Sequence, residues 1–155
     1  MMLRISKLTD YATVILGYIA SADSNEMHSA TEIANSTGIA SPTVSKLLKL
    51  LAKGRVLRSV RGVKGGYFLS RPPEDISVAD VISAVEGPIA VTECSLSEDN
   101  CEQFAACNLS THWGKINSVI QAALESVTLA DMIEPVEISI PIESLYSNST
   151  VRGEQ

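Results

Sequence analysis

The feature that most constrains the fold of this chain is a pair of short helical patterns that follow one another in sequence between residues 29 and 54. The first is predicted for about residues 30–36 and ends at Gly38, a residue that can take the positive φ found after a helix. The second begins at Ser41-Pro42, an N-cap followed by proline at the first helical position, and runs to about Lys53. Two helices joined by a tight glycine-containing turn form a helix-turn-helix.

The second of these helices has two chemically different faces. Its apolar face, at helical spacing, consists of Val44, Leu47, Leu48 and Leu51. The opposite face is polar and basic, as expected of a helix that enters the major groove of DNA. Residues near the helix N-terminus are predicted to lie closest to base edges and later ones closest to phosphates. The predicted base-edge residues are Thr43, Ser45 and Lys46, and the predicted phosphate contacts are Lys49 and Lys53.

A basic β-hairpin is predicted directly after this helix. Residues 56–60 alternate as a strand does, residues 61–66 form a glycine-rich turn, and residues 67–69 form the returning strand. A hairpin in this position is a wing, and its glycines let the backbone approach a duplex closely. The wing residues predicted to grip phosphates or to enter a minor groove are Arg58, Arg61 and Lys64.

Charge is distributed unevenly along the chain. The formal net charge of −6 and the pI of about 4.9 argue, taken alone, against a nucleic-acid partner. Residues 1–71, however, hold ten Lys/Arg and four Asp/Glu, a net of +6, whereas residues 72–155 hold two and fourteen, a net of −12. Because local fields govern phosphate binding, the basic half suits double-stranded DNA.

Further helices are predicted on both sides of the helix-turn-helix. The first covers residues 6–20, with Ser6 as N-cap and a polar side that contains Asp10. Its predicted apolar positions are Tyr11, Val14, Ile15, Tyr18 and Ile19. After Pro72-Pro73, Ser77 is predicted to cap another helix, whose apolar stripe is Val78, Val81, Ile82 and Val85.

A long helix is predicted for about residues 111–127, and Thr128 is predicted to cap a final turn. The apolar stripe of the long helix lies near heptad spacing and needs another surface to cover it. A second copy of the chain is the simplest candidate, so we expect a homodimer. The stripe consists of Trp113, Ile116, Ile120, Ala123, Leu124 and Val127. Residues from Pro135 onward are mixed and then rich in Ser, Asn and Thr, and we expect a flexible tail there.

Three cysteines lie close together, as Cys94-x6-Cys101-x5-Cys107. Zinc sites generally pair cysteines two to four residues apart and use four protein ligands, and neither condition holds here. Thiolates suit iron–sulfur clusters, so a cluster, a thiol redox switch and inert cysteines all stay open on spacing alone. The chain has no export leader and no apolar run long enough for a membrane span. We therefore expect a cytoplasmic protein with reduced thiols and no membrane partner.

Five motifs follow one another along the chain. They are Leu8-Thr9-Asp10-Tyr11-Ala12, residues 41–48 (SPTVSKLL), Val60-Arg61-Gly62 with Gly65-Gly66-Tyr67, residues 81–87 (VISAVEG), and the three cysteines. Together they resemble the IscR/NsrR-type iron–sulfur transcription regulators, and most of all the branch that regulates the SUF cluster-assembly operon. The resemblance covers about residues 2–132. It implies a homodimeric winged-helix repressor or switch whose cysteine loop holds a 2Fe–2S or 4Fe–4S cluster.

The same resemblance implies that the three cysteines are cluster ligands and raises the question of the fourth. IscR-type members place a histidine three residues after the last cysteine, where this chain has Ser110, and His112 lies two residues further on. NsrR-type members use the aspartate at the position of Asp10, contributed by the other subunit. We therefore favour Asp10 of the partner subunit as the fourth ligand, with His112 or an exogenous ligand as alternatives.

The predicted fold is mainly α with a small β-hairpin wing and a long dimerisation helix. It divides into a winged helix-turn-helix DNA-binding domain (1–73), a cluster loop with the dimerisation helix (74–134) and a flexible tail (135–155). We expect a transcription regulator, not an enzyme, that represses cluster-assembly genes and whose operator affinity is switched by the cluster. The alternatives are a thiol-redox-sensing winged-helix repressor without a cluster and an iron–sulfur carrier or redox protein. His28 is expected to be an exposed loop residue.

Overall fold

The computed structural model describes residues 4–22, 26–92 and 110–134, and within them it is mainly helical with one antiparallel hairpin. In chain order the elements are α1 (Lys7–Ser21), α2 (Ala30–Thr37), α3 (Ser41–Lys53), β1 (Leu57–Val60), β2 (Gly66–Leu69), a short 3-10 helix (Pro73–Asp75), α4 (Val78–Glu86), α5 (Ser110–Glu125) and α6 (Leu129–Ile133). The predicted fold class is confirmed. The predicted flexible tail lies outside the described residues. None of the described helices is long and apolar enough to cross a bilayer.

Side-chain caps fix the start of four helices, and the sequence predicts three of them, at Ser6, Ser77 and Thr128. The hydroxyl of Ser6 accepts a hydrogen bond from the Thr9 N–H at 3.3 Å, and Ser29 caps α2 in the same way. Ser77 and Thr128 begin α4 and α6 with reciprocal capping boxes. Each cap gives a partner to a backbone N–H that the helix itself leaves without one.

The start of α3 differs from the prediction. Ser41 is the first helical residue and not the N-cap; Ala40 takes the cap position, and no side chain bonds there. The Val44 N–H already donates to the Ala40 carbonyl at 3.0 Å. The predicted N-cap is therefore wrong by one residue, and Pro42 stands at the second helical position instead of the first. Proline is tolerated there because the N–H groups of the first turn have no partner within the helix.

One hydrophobic core joins the described elements, with α1 in contact with α2, α3, α4 and α6. Its largest fully buried apolar side chains include Ile15, Leu16, Ile33, Leu47, Leu48, Leu51, Leu57, Ile76 and Leu129. Ile76 and Leu129 come from the region after Pro73, so the packing continues across the predicted domain boundary. The division of the chain at residue 73 remains a prediction.

Two predicted apolar faces are rotated in the structure. On α1 the buried apolar residues are Ala12, Ile15, Leu16 and Ile19. Val14, predicted to be in the core, is 46% exposed. Because α1 is packed on more than one side, small Ala12 comes into the interface and allows the helices a close approach. Likewise α4 buries Ala79 and Val81, while Val78, Ile82 and Val85 are only half-buried.

Candidate nucleic-acid interface and sensor region

The apolar face of α3 fixes the orientation of its basic face. Val44, Leu47, Leu48 and Leu51 are completely buried, so the helix cannot rotate without exposing them. Lys46, Lys49 and Lys53 consequently lie on the exposed side, and Thr43 and Ser45 are half-buried in its first turns. All five predicted α3 residues lie outside the core, where a DNA groove can reach them; contact with DNA remains a prediction.

The wing is a short hairpin whose turn requires glycine. Strands β1 and β2 pair from Leu57 opposite Leu69 to Val60 opposite Gly66. Gly62 has φ +126, and a Cβ at Gly65 would lie 2.2 Å from the Val60 carbonyl oxygen. Only glycine fits such positions without moving the backbone. The turn is therefore tight and presents its side chains outward.

The side chains of the wing include all three predicted DNA contacts and one residue that the sequence reasoning missed. Arg58, Arg61 and Lys64 are exposed. Val63, between the last two, has a relative exposure of 107%, the highest among the large apolar side chains of the described residues. An apolar side chain at the tip of a basic wing suits contact with a groove wall or base step. The sequence places Val63 in the glycine-rich turn of residues 61–66, but the sequence reasoning gave its side chain no role.

The basic side chains of α3 and the wing form no ion pair within the described residues. In the described part of the chain the ion pair between an always-charged base and a carboxylate is Arg71–Asp80 at 2.7 Å, and His28 Nδ1 lies 2.7 Å from Glu32 Oε1. Arg71, which belongs to the same basic stretch of sequence, is used internally: its guanidinium also donates to the backbone carbonyls of Asp75 and Arg55. Its charge therefore stabilises the start of α4 and does not add to the DNA-facing set.

His28 contradicts the expectation of an exposed loop residue. It is 2% exposed, its Nδ1 lies 2.7 Å from Glu32 Oε1, and its ring meets Tyr18 edge-on at 5.3 Å between centroids. The sequence reasoning treated its segment as a free loop because no periodic pattern surrounds it. The segment is instead held by an isolated β-bridge to Tyr67 of the wing.

The predicted cluster ligands fall in two parts of the chain. Cys94, Cys101 and Cys107 lie outside the described residues. Asp10 is exposed in the first turn of α1 and borders an open groove between α1 and α6, lined also by Thr13, Gly17, Met132 and Ile133. His112 is exposed in the first turn of α5. Among the residues that the structure describes, no three His, Cys, Asp or Glu side chains are grouped as metal ligands.

The N-terminus of α1, which carries Asp10, is tied to the end of α4. Glu86 Oε1 accepts hydrogen bonds from the Ser6 N–H at 3.1 Å and from the Thr9 hydroxyl. The bond from Thr9, followed by those from Ser6, holds the pKa of the Glu86 carboxyl below its usual range. The α4 residue that precedes the cysteine segment thus fixes the helix end near Asp10.

Asn117 anchors the chain on its way from α4 to the cysteines. Its Oδ1 accepts from the Val91 N–H at 3.0 Å, and its Nδ2 donates to the Ile89 carbonyl at 3.4 Å. It is the one buried residue among those of α5 whose exposure the structure describes. The sequence reasoning missed it, although an Asn beside an apolar stripe is a signal for a buried hydrogen bond.

The apolar side chains of α5 are largely uncovered in the single chain. Trp113, Ile116 and Val119 are 39%, 44% and 70% exposed, and Val127, just beyond the helix, is 38% exposed. A row of such residues on one helix marks an interaction surface. Val119 extends the predicted stripe by one position that the sequence reasoning left out.

A helix-turn-helix with a basic outer face followed directly by a basic wing defines the chain as a winged-helix DNA-binding protein. The family model of Rrf2, described as an iron-dependent transcriptional regulator, matches residues 5–135. The chain therefore belongs to the Rrf2 family. It is a transcription regulator and not an enzyme, which excludes the predicted alternative of a carrier or redox protein.

Known relatives agree with this assignment. Protein rrf2 of Nitratidesulfovibrio vulgaris is 32% identical over 136 residues, which cover 88% of this chain and 91% of that protein. Among solved structures, CymR, the global cysteine regulator of B. subtilis, is 29% identical with a TM-score of 0.63, covering 85% of this chain and 97% of that one. T. potens IscR is 26% identical with a TM-score of 0.60, covering 97% and 94%.

Proposed function

We propose that the chain is a homodimeric repressor whose affinity for its operator is switched by an iron–sulfur cluster, and that its targets are SUF-type cluster-assembly genes. The observation that carries the DNA-binding part is the set of free, exposed basic side chains on α3 and the wing. The proposal that these genes serve cluster assembly rests on the sequence motifs that resemble the SUF branch.

A homodimer follows from the uncovered face of α5. Trp113, Ile116 and Val119 expose apolar surface to water unless another surface covers them, and an identical helix offers a matching stripe. A dimer would place two copies of α3 on successive half-sites about one helical turn, roughly 34 Å, apart. The operator is then expected to be an approximate palindrome.

The donor set fits a cluster. Three cysteines supply thiolates, the preferred ligands of iron–sulfur iron. The Asp10 carboxylate is exposed and, within the described residues, accepts no hydrogen bond from another side chain, so it is available to a metal. When bound, the cluster would supply a group whose loss or oxidation changes the charge near the cysteines and Asp10 and changes which of these side chains are bound to iron. The chain's own part is to hold the helix end that carries Asp10 through Glu86, and to anchor residues 89–91, which precede the cysteines in sequence, through Asn117.

A thiol-based sensor is the second candidate. The similarity to CymR supports it, because CymR of Staphylococcus aureus has been solved in an oxidized form. In this version an oxidant such as a peroxide takes two electrons and two protons from a pair of the cysteine thiols, which then form a disulfide, and no iron is bound.

The cluster is tested first by purifying the protein without air and recording visible absorption, iron and acid-labile sulfide per chain. We expect charge-transfer bands that vanish when all three cysteines become alanine. Asp10→Ala should destabilise the cluster, whereas Asp75→Ala, which removes another exposed aspartate, should not. Colourless protein that also resists reconstitution would refute the cluster and leave the thiol sensor. Normal bands in Asp10→Ala would transfer the fourth-ligand role to His112 or an exogenous group.

The DNA interface is tested by the salt dependence of operator binding. Arg61→Ala should weaken binding and reduce the slope of log affinity against log salt by about one. Lys115→Ala removes an exposed positive charge on α5, outside the proposed DNA-contacting residues of α3 and the wing, and should leave the slope unchanged. An unchanged slope in Arg61→Ala would remove the wing tip from the interface.

A further inference from the structure

The wing is joined to the rest of the DNA-binding unit by main-chain bonds at His28. The His28 N–H donates to the Tyr67 carbonyl at 3.0 Å, and the Tyr67 N–H donates back to the His28 carbonyl at 2.8 Å. Residue 28 therefore lies beside β2 as a single bridge of a third strand. A Cβ on Gly66 would come within 2.8 Å of the His28 carbonyl oxygen, so the two backbones are in close contact.

The side chain of His28 ties this bridge to two helices. Glu32 of α2 meets His28 Nδ1 at 2.7 Å and also accepts from the Tyr18 hydroxyl of α1 at 3.0 Å. The hydrogen bond from His28 is the largest cause that keeps the pKa of the Glu32 carboxyl below its usual range, so the carboxylate is ionised at neutral pH. One carboxylate thus joins α1, α2 and the His28 segment, which bridges to the wing.

A histidine at this position carries a cost in stability. Its Nε2 is buried and has no hydrogen-bond partner among the described residues. A buried polar atom without a partner destabilises the fold, and such exceptions call for an explanation. A phenylalanine ring would fill a similar volume without this cost, but it could not bond Glu32. The polar bond to Glu32 is therefore the property that distinguishes histidine from an apolar residue here.

We infer that His28, oriented by Glu32, is a positioning residue for DNA binding: it fixes the wing relative to α3, so that the wing and α3 contact the duplex in one register. The inference rests on the proposed role of the wing in the interface. A loosely attached wing would pay ordering entropy on binding, and Arg61 would then contribute less to affinity. The effect of His28 should consequently pass through Arg61 and not through Lys46.

The test is a pair of double-mutant cycles on operator affinity, combining His28→Phe with Arg61→Ala and with Lys46→Ala. We expect His28→Phe to fold with an unchanged or higher melting temperature and to bind about fivefold more weakly. Arg61→Ala should lose most of its effect in the His28→Phe background, whereas Lys46→Ala should keep its full effect. Additivity in both cycles, or unchanged affinity in His28→Phe, would overturn the inference.

Glutamate variants test the same contact from its other side, and amide hydrogen exchange in the free protein tests it without the operator. Glu32→Ala should behave as His28→Phe does, Glu32→Gln, which keeps an acceptor, should stay near wild type, and exposed Glu26→Ala is the matched control. In the free protein the Tyr67 amide should exchange at least several-fold faster in His28→Phe. If Arg61→Ala is silent in the wild-type chain, the wing's role in the proposed function fails, and the exchange rate still decides: unchanged exchange at Tyr67 overturns the positioning role, and faster exchange supports it.

Discussion

Helices α3 and α5 look alike in sequence and differ in what covers them. Both carry apolar residues on one face and polar residues on the other. In α3 the apolar face, made of Val44, Leu47, Leu48 and Leu51, is completely buried within the chain, whereas in α5 Ile116 and Val119 remain 44% and 70% exposed. The exposed side of α3 is therefore its basic side, and that of α5 includes its apolar side. The comparison shows that an amphipathic pattern predicts a helix but does not say whether the chain itself provides the cover.

The two helices also differ in their electrostatic surroundings. α3 and the wing carry the free basic side chains, while α5 lies in the half of the chain with a net charge of −12. Charge suits α3 to a phosphate backbone, and apolar exposure suits α5 to another protein surface. The predictions below separate these two kinds of surface, beginning with the largest expected effect.

The first prediction compares a core position of α3 with an exposed position of α5. Leu48→Ala should lower the free energy of unfolding by about 2–5 kcal/mol at any protein concentration, since it removes buried methyl groups and leaves a cavity. Val119→Ala should have an effect only where the dimer forms, so it should depend on concentration. Urea unfolding at two concentrations a hundredfold apart measures both. A concentration-independent loss in Val119→Ala would show that the chain itself covers α5.

The second prediction breaks the proposed α5 interface directly. The double variant Ile116→Glu with Val119→Glu places two carboxylates on the apolar stripe, and it should give monomers on sedimentation. Operator affinity should then fall about 100-fold, because the two DNA-binding units no longer act together. Ser118→Glu, on the opposite side of α5, is the matched control. A double variant that stays dimeric would place the interface elsewhere.

The third prediction concerns Asn117, the one buried polar residue among those of α5 whose exposure the structure describes. Asn117→Ala leaves the Val91 N–H and the Ile89 carbonyl without their partner, so the stability should drop by about 1–3 kcal/mol. Amide exchange over residues 89–91 should become faster. Gln121→Ala, one turn further along the exposed side, removes only a bond to Glu125 and should change stability by less than about 0.5 kcal/mol. Equal effects of the two variants would mean that Asn117 does not anchor this segment.

The sequence predicted the order of the elements, three of the side-chain caps (Ser6, Ser77 and Thr128) and the hairpin, because these depend on local patterns. It failed where the outcome depends on distant contacts. Val14 has the spacing of a core residue but lies outside the face that α1 buries. His28 has no periodic neighbours and is buried by residues 18, 32 and 67. The proposed ligand set of Asp10 and the three cysteines follows neither from spacing nor from the described structure, since Asp10 and the cysteines are far apart along the chain.

The last and smallest effect concerns the tie between α1 and α4, which connects the DNA-binding part to the segment that leads to the cysteines. Hydrogen bonds from Thr9 and Ser6 lower the pKa of Glu86 in the folded protein, so its ionised form is the one that stabilises the fold. That stabilisation is present above the unfolded pKa of about 4.3 and disappears as the pH falls through the lower folded value. Because the carboxyl is partly solvated, we expect its ionised form to add less than about 1 kcal/mol to the free energy of unfolding.

Urea midpoints between pH 3 and 7 should therefore fall less steeply with acid in Glu86→Gln than in the wild type, while exposed Glu74→Gln should follow the wild-type curve. Parallel curves for all three proteins would mean that the bonds to Glu86 do not fix the start of α1 in solution.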